Sequence, residues 1–434
     1  MRTEQEKYQL KQKILRSIDE HYAVSFLGSL VKLPSENFKP ALAQELVSIK
    51  LHEMGFDVDM FPCEAESIMD LPDFCSFPGN EVFRPDILNA VGVKRGIAEV
   101  PGNALMIHAH IDTAETCELV PDQQVSVKDG RIYGLGVADD KGGVAMMLLA
   151  AEAVLREVPS LDGKLTLMST IGKRGAVGTL TACRKGYGGD GAVYLHPAET
   201  GHGLHEIKSY SMGVAEINVT VRGKQGRFHD EIDDSEVNAI EKGCQVIAAV
   251  RDWDRERRLQ HRFTQDDGSF AGLPSTKADI IGCSYGDRVL EDVLTFTFTV
   301  QVNFGTDETS ESVTNDLRSW LAVRFMDDPW LSQHPPELAP GVRKATPVYI
   351  KRDARIVRLL EKNITEVTGF DDFIYQYHGA SDIRMPIIYG NTPAVGIGTL
   401  CGGLRAGLEK EWMDIADYIR GIKVIAGLIV DWCL

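Results

Sequence analysis

The sequence predicts an α/β protein: a largely parallel, doubly covered sheet, interrupted by a smaller α+β unit. Three observations lead there. Strand-like and helix-like runs alternate through the first half, at residues 104–111, 143–157, 164–171 and 191–195. The rhythm changes after about residue 209, where clean apolar alternation appears at 214–222 and 293–304, most plainly in Thr295-Phe296-Thr297-Phe298-Thr299-Val300. A Pro-rich stretch at 335–347 then reads as a linker, after which a helix and a strand resume.

Each element has its own justification. Residues 143–157 carry small and apolar side chains at helical spacing behind the polar pair Asp139-Asp140. Helices fit 235–253 and 311–325 within the α+β unit. Residues 353–368 place Ile356, Leu360, Ile364 and Val367 on one face, and Gly369 stops the helix. Residues 392–398 form a last strand, and 422–430 a core helix too short to span a bilayer. The expected division is a discontinuous α/β domain, 1–209 with 328–434, and an inserted domain, 210–327. In sheets of this kind chemistry sits at the C-terminal strand ends, where His110, Gly172-Lys173-Arg174 and His196 fall.

The chain has 434 residues, with 46 Lys+Arg against 63 Asp+Glu and a net charge of -17. So acidic a chain is a poor partner for nucleic acid or an anionic membrane. Its eight cysteines form no C-x-x-C pair and read as reduced thiols. Residues 1–21 are charged and helix-like, without the apolar core of a signal peptide, and the cysteine in 431–434 is too near the end for prenylation. The expected location is cytoplasmic.

The most specific motifs are His110-Ile111-Asp112 and Asp139-Asp140-Lys141-Gly142-Gly143. With them come Phe83-Arg84-Pro85-Asp86, Val221-Arg222-Gly223-Lys224, Asn238-Ala239-Ile240 and Gly379-Ala380-Ser381-Asp382-Ile383-Arg384. Together, and over nearly the whole chain, they resemble the two-zinc aminoacylase, acetylornithine deacetylase, succinyl-diaminopimelate desuccinylase and carboxypeptidase G family of metallohydrolases. The resemblance implies a zinc-peptidase-like α/β/α catalytic domain with an inserted lid that forms a homodimer. It also implies two cations, a bridging carboxylate and a carboxylate base acting on a shared water.

Residue by residue, the resemblance makes His110 a ligand of the first metal, Asp112 its orienting partner and Asp139 the bridging carboxylate. The family's adjacent glutamates, base and second-metal ligand, are replaced by Lys173 and Arg174, and no glutamate lies between Glu157 and Glu199. Neither cation ligates zinc. The acidic ligand that precedes a proline is replaced by His196, itself a good zinc ligand, with Glu199 three residues on. The last family ligand, a histidine, is absent: none follows His378, and Gly407 or a neighbour stands there. In the lid, His229 fits the family's substrate-binding histidine if an insertion is allowed, whereas a gapless count gives Arg227. Arg384 matches a family arginine that either binds substrate or forms a structural ion pair. Cys401 reads as an inert thiol.

Charge arithmetic supports a rebuilt site. Two Glu to Lys/Arg exchanges add about +4 and Glu to His about +1, against about 4 positive charges lost with two metals. Three readings compete. One is a hydrolase of small N-acyl amino acids or peptides with at most one zinc, on His110, Asp139 and His196, and Arg174 facing an oxyanion. The second is a metal-free homologue that binds a small anionic ligand in the Lys173/Arg174 cleft. The third is a structural protein in which the lid mediates oligomerisation.

Overall fold

The computed structural model describes every residue except 1–2, 37–38, 75–80, 99–101, 115–123, 174, 199, 227–235, 261–276, 290–291, 380 and 405–409. One continuous sheet organises it. Its strands run in the order Asp57–Pro62, Leu88–Lys94, Leu165–Thr170, Leu105–His110, Gly191–Leu195, Ala394–Ile397, Glu206–Arg222, Thr295–Phe304 and Ala278–Tyr285. The middle four are parallel to one another. Strands outside them pair antiparallel, apart from Ile374–Gly379, which runs parallel to Glu206–Arg222, so the sheet is mixed rather than simply parallel.

Side-chain alternation explains why both faces are covered. Leu105, Ile107 and Ala109 join one large core, while Met106 packs into a smaller cluster on the opposite face. The large core receives the helices Glu4–Arg16, Glu20–Lys32, Lys141–Glu157, Arg355–Thr368 and Ile415–Cys433. Helix Lys141–Glu157 is buried along almost its whole length, which accounts for its small and apolar composition. Arg355–Thr368 ends on Gly369 in the left-handed conformation, as its sequence requires. Among the described residues no helix is long and apolar enough to cross a membrane.

The strand Glu206–Arg222 is the spine that joins the two halves. Its first residues pair with Ile374–Gly379, and its later ones with Thr295–Phe304. A separate hydrophobic cluster draws on Ala215–Val221, Val246, Trp253, Phe298, Leu317 and Leu331. Here the expectation of a linker at 335–347 is corrected. Glu337–Ala345 is a strand paired antiparallel with the spine over residues 214–220, and the register shifts between Pro340 and Lys344. Its alternate residues face solvent, so it lacks the apolar signature of a strand, and the break in the ladder accommodates the proline. Since Leu331 belongs to the second cluster, the chain returns to the large core later than residue 328.

Candidate metal centre

Three loops at the C-terminal ends of the parallel strands, and the turn before helix Lys141–Glu157, converge on one carboxylate. His110 ends the strand Leu105–His110, Lys173 follows Leu165–Thr170, and His196 follows Gly191–Leu195. Asp139 sits in the turn, joined to Asp140 by a cis peptide bond. The glycines after it let the helix start against the sheet: a Cβ on Gly143 would lie 2.6 Å from the Leu195 carbonyl oxygen.

His110, Asp139 and His196 form a group able to hold one metal ion, with ligand atoms within 4.8 Å of one another. His110 Nε2 lies 2.9 Å and His196 Nε2 3.6 Å from Asp139 Oδ1. That oxygen is buried and, among the described residues, makes no well-directed hydrogen bond. These separations bracket the edge, about 3.3 Å, of a tetrahedron with 2.0–2.1 Å metal–ligand bonds. His110 Nδ1 is 2.9 Å from the main-chain carbonyl of Asp112. Donation to that carbonyl keeps one proton on Nδ1 and turns Nε2 toward Asp139. His110 and Asp139 therefore fit a metal once the Nε2 proton, which the Asp139 charge holds in the metal-free chain, leaves.

His196 fits less simply. Its Nδ1 lies 3.1 Å from Lys208 Nζ, which also donates to the Pro197 carbonyl. An ammonium offers only protons, so Nδ1 accepts and the neutral ring carries its proton on Nε2. Ligation through Nε2 would require that proton, or the Lys208 proton, to leave.

Lys173 takes the other side of Asp139. Its Nζ is 2.5 Å from Asp139 Oδ2. Burial opposes the Lys173 ammonium, but the Asp139 charge prevails and raises its pKa, so Lys173 is no base. Burial likewise disfavours ionised Asp139, yet Lys173, His110 and His196 hold it well below the usual carboxylate range. His110 is buried, which lowers its pKa, but Asp139 and Asp140 outweigh this and carry it to about 9. Burial, reinforced by Asp139, pushes Asp140 well above the carboxylate range.

Asp112 acts differently from expectation. Its carboxylate accepts from the backbone N–H groups of Gly172, at 2.9 Å, and Lys173, at 2.8 Å, so it clamps the loop that carries Lys173. It is the Asp112 carbonyl that orients His110; the nearer carboxylate oxygen is 3.7 Å away. Of the two readings of Arg384, substrate binding and a structural ion pair, the structure shows the ion pair. Arg384 is 1% exposed and paired with Asp73 at 2.7 Å, while Tyr389 and Thr346 donate to the same carboxylate. It ties the helix Arg384–Tyr389 to the 71–74 turn and is spent on structure rather than substrate.

Arg174, expected toward an oxyanion, lies outside the described residues, as do His229, Arg227, Glu199 and Gly407. The side chain of His378 is likewise outside the description. Cys401 is buried, with its thiol 3.6 Å from the Ala198 carbonyl. Two supporting residues carried no sequence signal. Lys208 is fully buried on the spine strand, beside Glu206. Glu411 accepts three backbone N–H groups, from Gly136, Ala138 and Asp139, and so holds the turn that presents Asp139. Burial and the Asp139 charge push Glu411 up to about 7, against those three bonds.

Comparison with known proteins agrees with this architecture. An N-formyl-4-amino-5-aminomethyl-2-methylpyrimidine deformylase of Halalkalibacterium halodurans is 25% identical over 375 residues, 80% of this chain and 84% of that protein. A succinyl-diaminopimelate desuccinylase of Methylobacterium radiotolerans is 28% identical over 325 residues, 70% and 74% of the two chains. A tripeptidase from Staphylococcus aureus has the same fold, with TM-score 0.69 at 18% identity over 95% of this chain and 98% of its own. The model of peptidase family M20/M25/M40 matches residues 106–431, and the chain belongs to that family.

Proposed function

We propose that this protein hydrolyses the amide bond of a small N-acylated amine, with one metal at most. The observation that carries this is the shared Asp139 carboxylate: one oxygen faces His110 and His196, and Lys173 occupies the other. Asp139 and, once deprotonated at Nε2, His110 and His196 would hold the metal, with zinc as the expected ion. When bound, it supplies Lewis acidity toward the carbonyl and toward water. Lys173 adds a fixed positive charge beside the developing oxyanion, in place of a second metal. The deformylase and desuccinylase among the relatives suggest a formyl or carboxylate-bearing short acyl group.

The test is zinc per chain by elemental analysis, on protein purified without chelator, together with release of free amine from N-formyl and N-succinyl amines. About one zinc per chain, and turnover lost with His110→Ala, is the expected result. About zero zinc and no turnover after zinc supply would sink it. A second reading, a metal-free binder of small anions in the same cleft, is favoured by one observation: Lys208 directs the protonated Nε2 of His196 toward Asp139.

A further inference from the structure

The motif Phe83-Arg84-Pro85-Asp86 leads into the strand Leu88–Lys94, whose second residue, Asn89, is a fully buried amide. Ala90 is paired with Ser169, so Asn89 stands beside the end of Leu165–Thr170, where the turn carrying Lys173 begins.

The amide is used at both ends. Asn89 Oδ1 accepts the Ile171 N–H at 2.9 Å, and Nδ2 donates to the Phe61 carbonyl at 3.2 Å. Those neighbours require this orientation, because a main-chain N–H only donates and a carbonyl only accepts. Helix Val177–Arg184 closes on the same oxygen. A Cβ on Gly178 would lie 2.1 Å from Asn89 Oδ1 and 2.4 Å from the Ile171 carbonyl oxygen, which accepts the Gly178 N–H at 2.8 Å. Only glycine permits that approach. Three consecutive main-chain N–H groups are thereby anchored: Ile171 to Asn89, and Gly172 and Lys173 to Asp112. The anchoring matters because of what Lys173 is. An ammonium on a four-carbon stem is a mobile charge, and its position follows its backbone. Lys173 Nζ has to reach Asp139 Oδ2, at 2.5 Å, from this turn. Among the described residues no hydrogen bond joins Asn89 to Lys173, so the influence passes through the main chain of residues 171–173.

We infer that Asn89 is a positioning residue for Lys173, admitted to the turn by Gly178. What Lys173 does once placed, as the fixed charge beside an oxyanion, rests on the hydrolase reading. The linkage from Asn89 to Lys173 does not.

The experiment is a double-mutant cycle, read by urea unfolding of the metal-free full chain, with Asn89→Leu, Lys173→Met and both together. Leucine fills the space of the amide and makes neither bond, so Asn89→Leu alone should raise the unfolding constant about tenfold or more. Residues without linkage multiply their effects. Expected here is that Lys173→Met costs about tenfold less in the Asn89→Leu background than in the native chain, because the charge is no longer held on Asp139. Lys11→Met is the comparison: it removes another buried cation, which pairs with Asp431 between two helices, and it should cost the same in both backgrounds. Where Asn89→Leu shows no cooperative transition, Gly178→Ala takes its place in the cycle, since its methyl would push the amide off Ile171. Effects at 89 or 178 that multiply with Lys173→Met to within about twofold overturn the assignment, as does an equal loss for Lys11→Met. Coupling found together with zero zinc and no turnover keeps Asn89 in this role and sinks the hydrolase reading alone.

Discussion

Lys173→Met isolates the cation that stands where the family's second-metal ligands are expected. Lys173 Nζ meets Asp139 Oδ2 at 2.5 Å, with the side chains 22% and 14% exposed. Breaking a buried ion pair costs about 3–5 kcal/mol, and an exposed one about 0–1 kcal/mol. This pair is mostly buried, and His110 still faces the orphaned carboxylate, so about 2–4 kcal/mol is expected. The assay is equilibrium urea unfolding near neutral pH, without metal and then with excess zinc. In the variant, Asp139 Oδ2 is released to a cation, so zinc should restore stability beyond its effect on the native chain. At about a hundredfold excess over Kd that recovery is about 2.7 kcal/mol per site. A metal-free variant within about 0.5 kcal/mol of the native chain, with the same zinc increment, would refute the reasoning.

Other outcomes follow from the same geometry. Metal-free protein should lose stability as pH rises from about 6.5 to about 9: His110 binds its proton more tightly when folded, and that contribution is complete below the unfolded pKa and lost through the folded one. Urea midpoints across that range, flattened in His110→Gln, check it. Lys208→Gln replaces an ammonium by an amide oxygen able to accept from His196 Nδ1–H, freeing Nε2; zinc affinity by competition with a chelator should rise about tenfold or more. Arg384→Met removes the cation from the buried Asp73 carboxylate, which keeps only its Thr346 and Tyr389 donors, and should cost about 3–5 kcal/mol by denaturant titration, with zinc stoichiometry unchanged. Glu411→Ala should weaken zinc binding without touching a ligand, by about 10–100-fold, because the turn presenting Asp139 loses its three-bond anchor.

Much of the fold is legible in periodicity. Strands buried on both faces, such as Gly191–Leu195, write continuous apolar runs, and the helix Arg355–Thr368 writes a one-sided stripe. The strand Glu337–Ala345 was hidden because half of it faces water and a proline sits inside it. About half of the spine strand was legible from its alternation, but its first residues, with the charged Glu206 and Lys208 in a buried ladder, obey no periodic rule. At the site, His110, Asp139 and His196 were expected together and are found together.

What the sequence determined by itself was therefore a matter of residue type and order: which strands are buried, and which residues stand at the strand ends that meet in the candidate centre. These are local properties, carried by neighbours a few positions apart. Tertiary structure alone decided the partners. It placed Lys173 on Asp139, Lys208 behind His196, Asp73 against Arg384 and Glu411 beneath the Gly136–Asp139 turn. Each pair joins residues from separate loops or strands, up to 311 positions apart in the case of Arg384 and Asp73. A charge's role depends on what lies within a few ångströms of it once water is excluded, and chain position does not encode that distance.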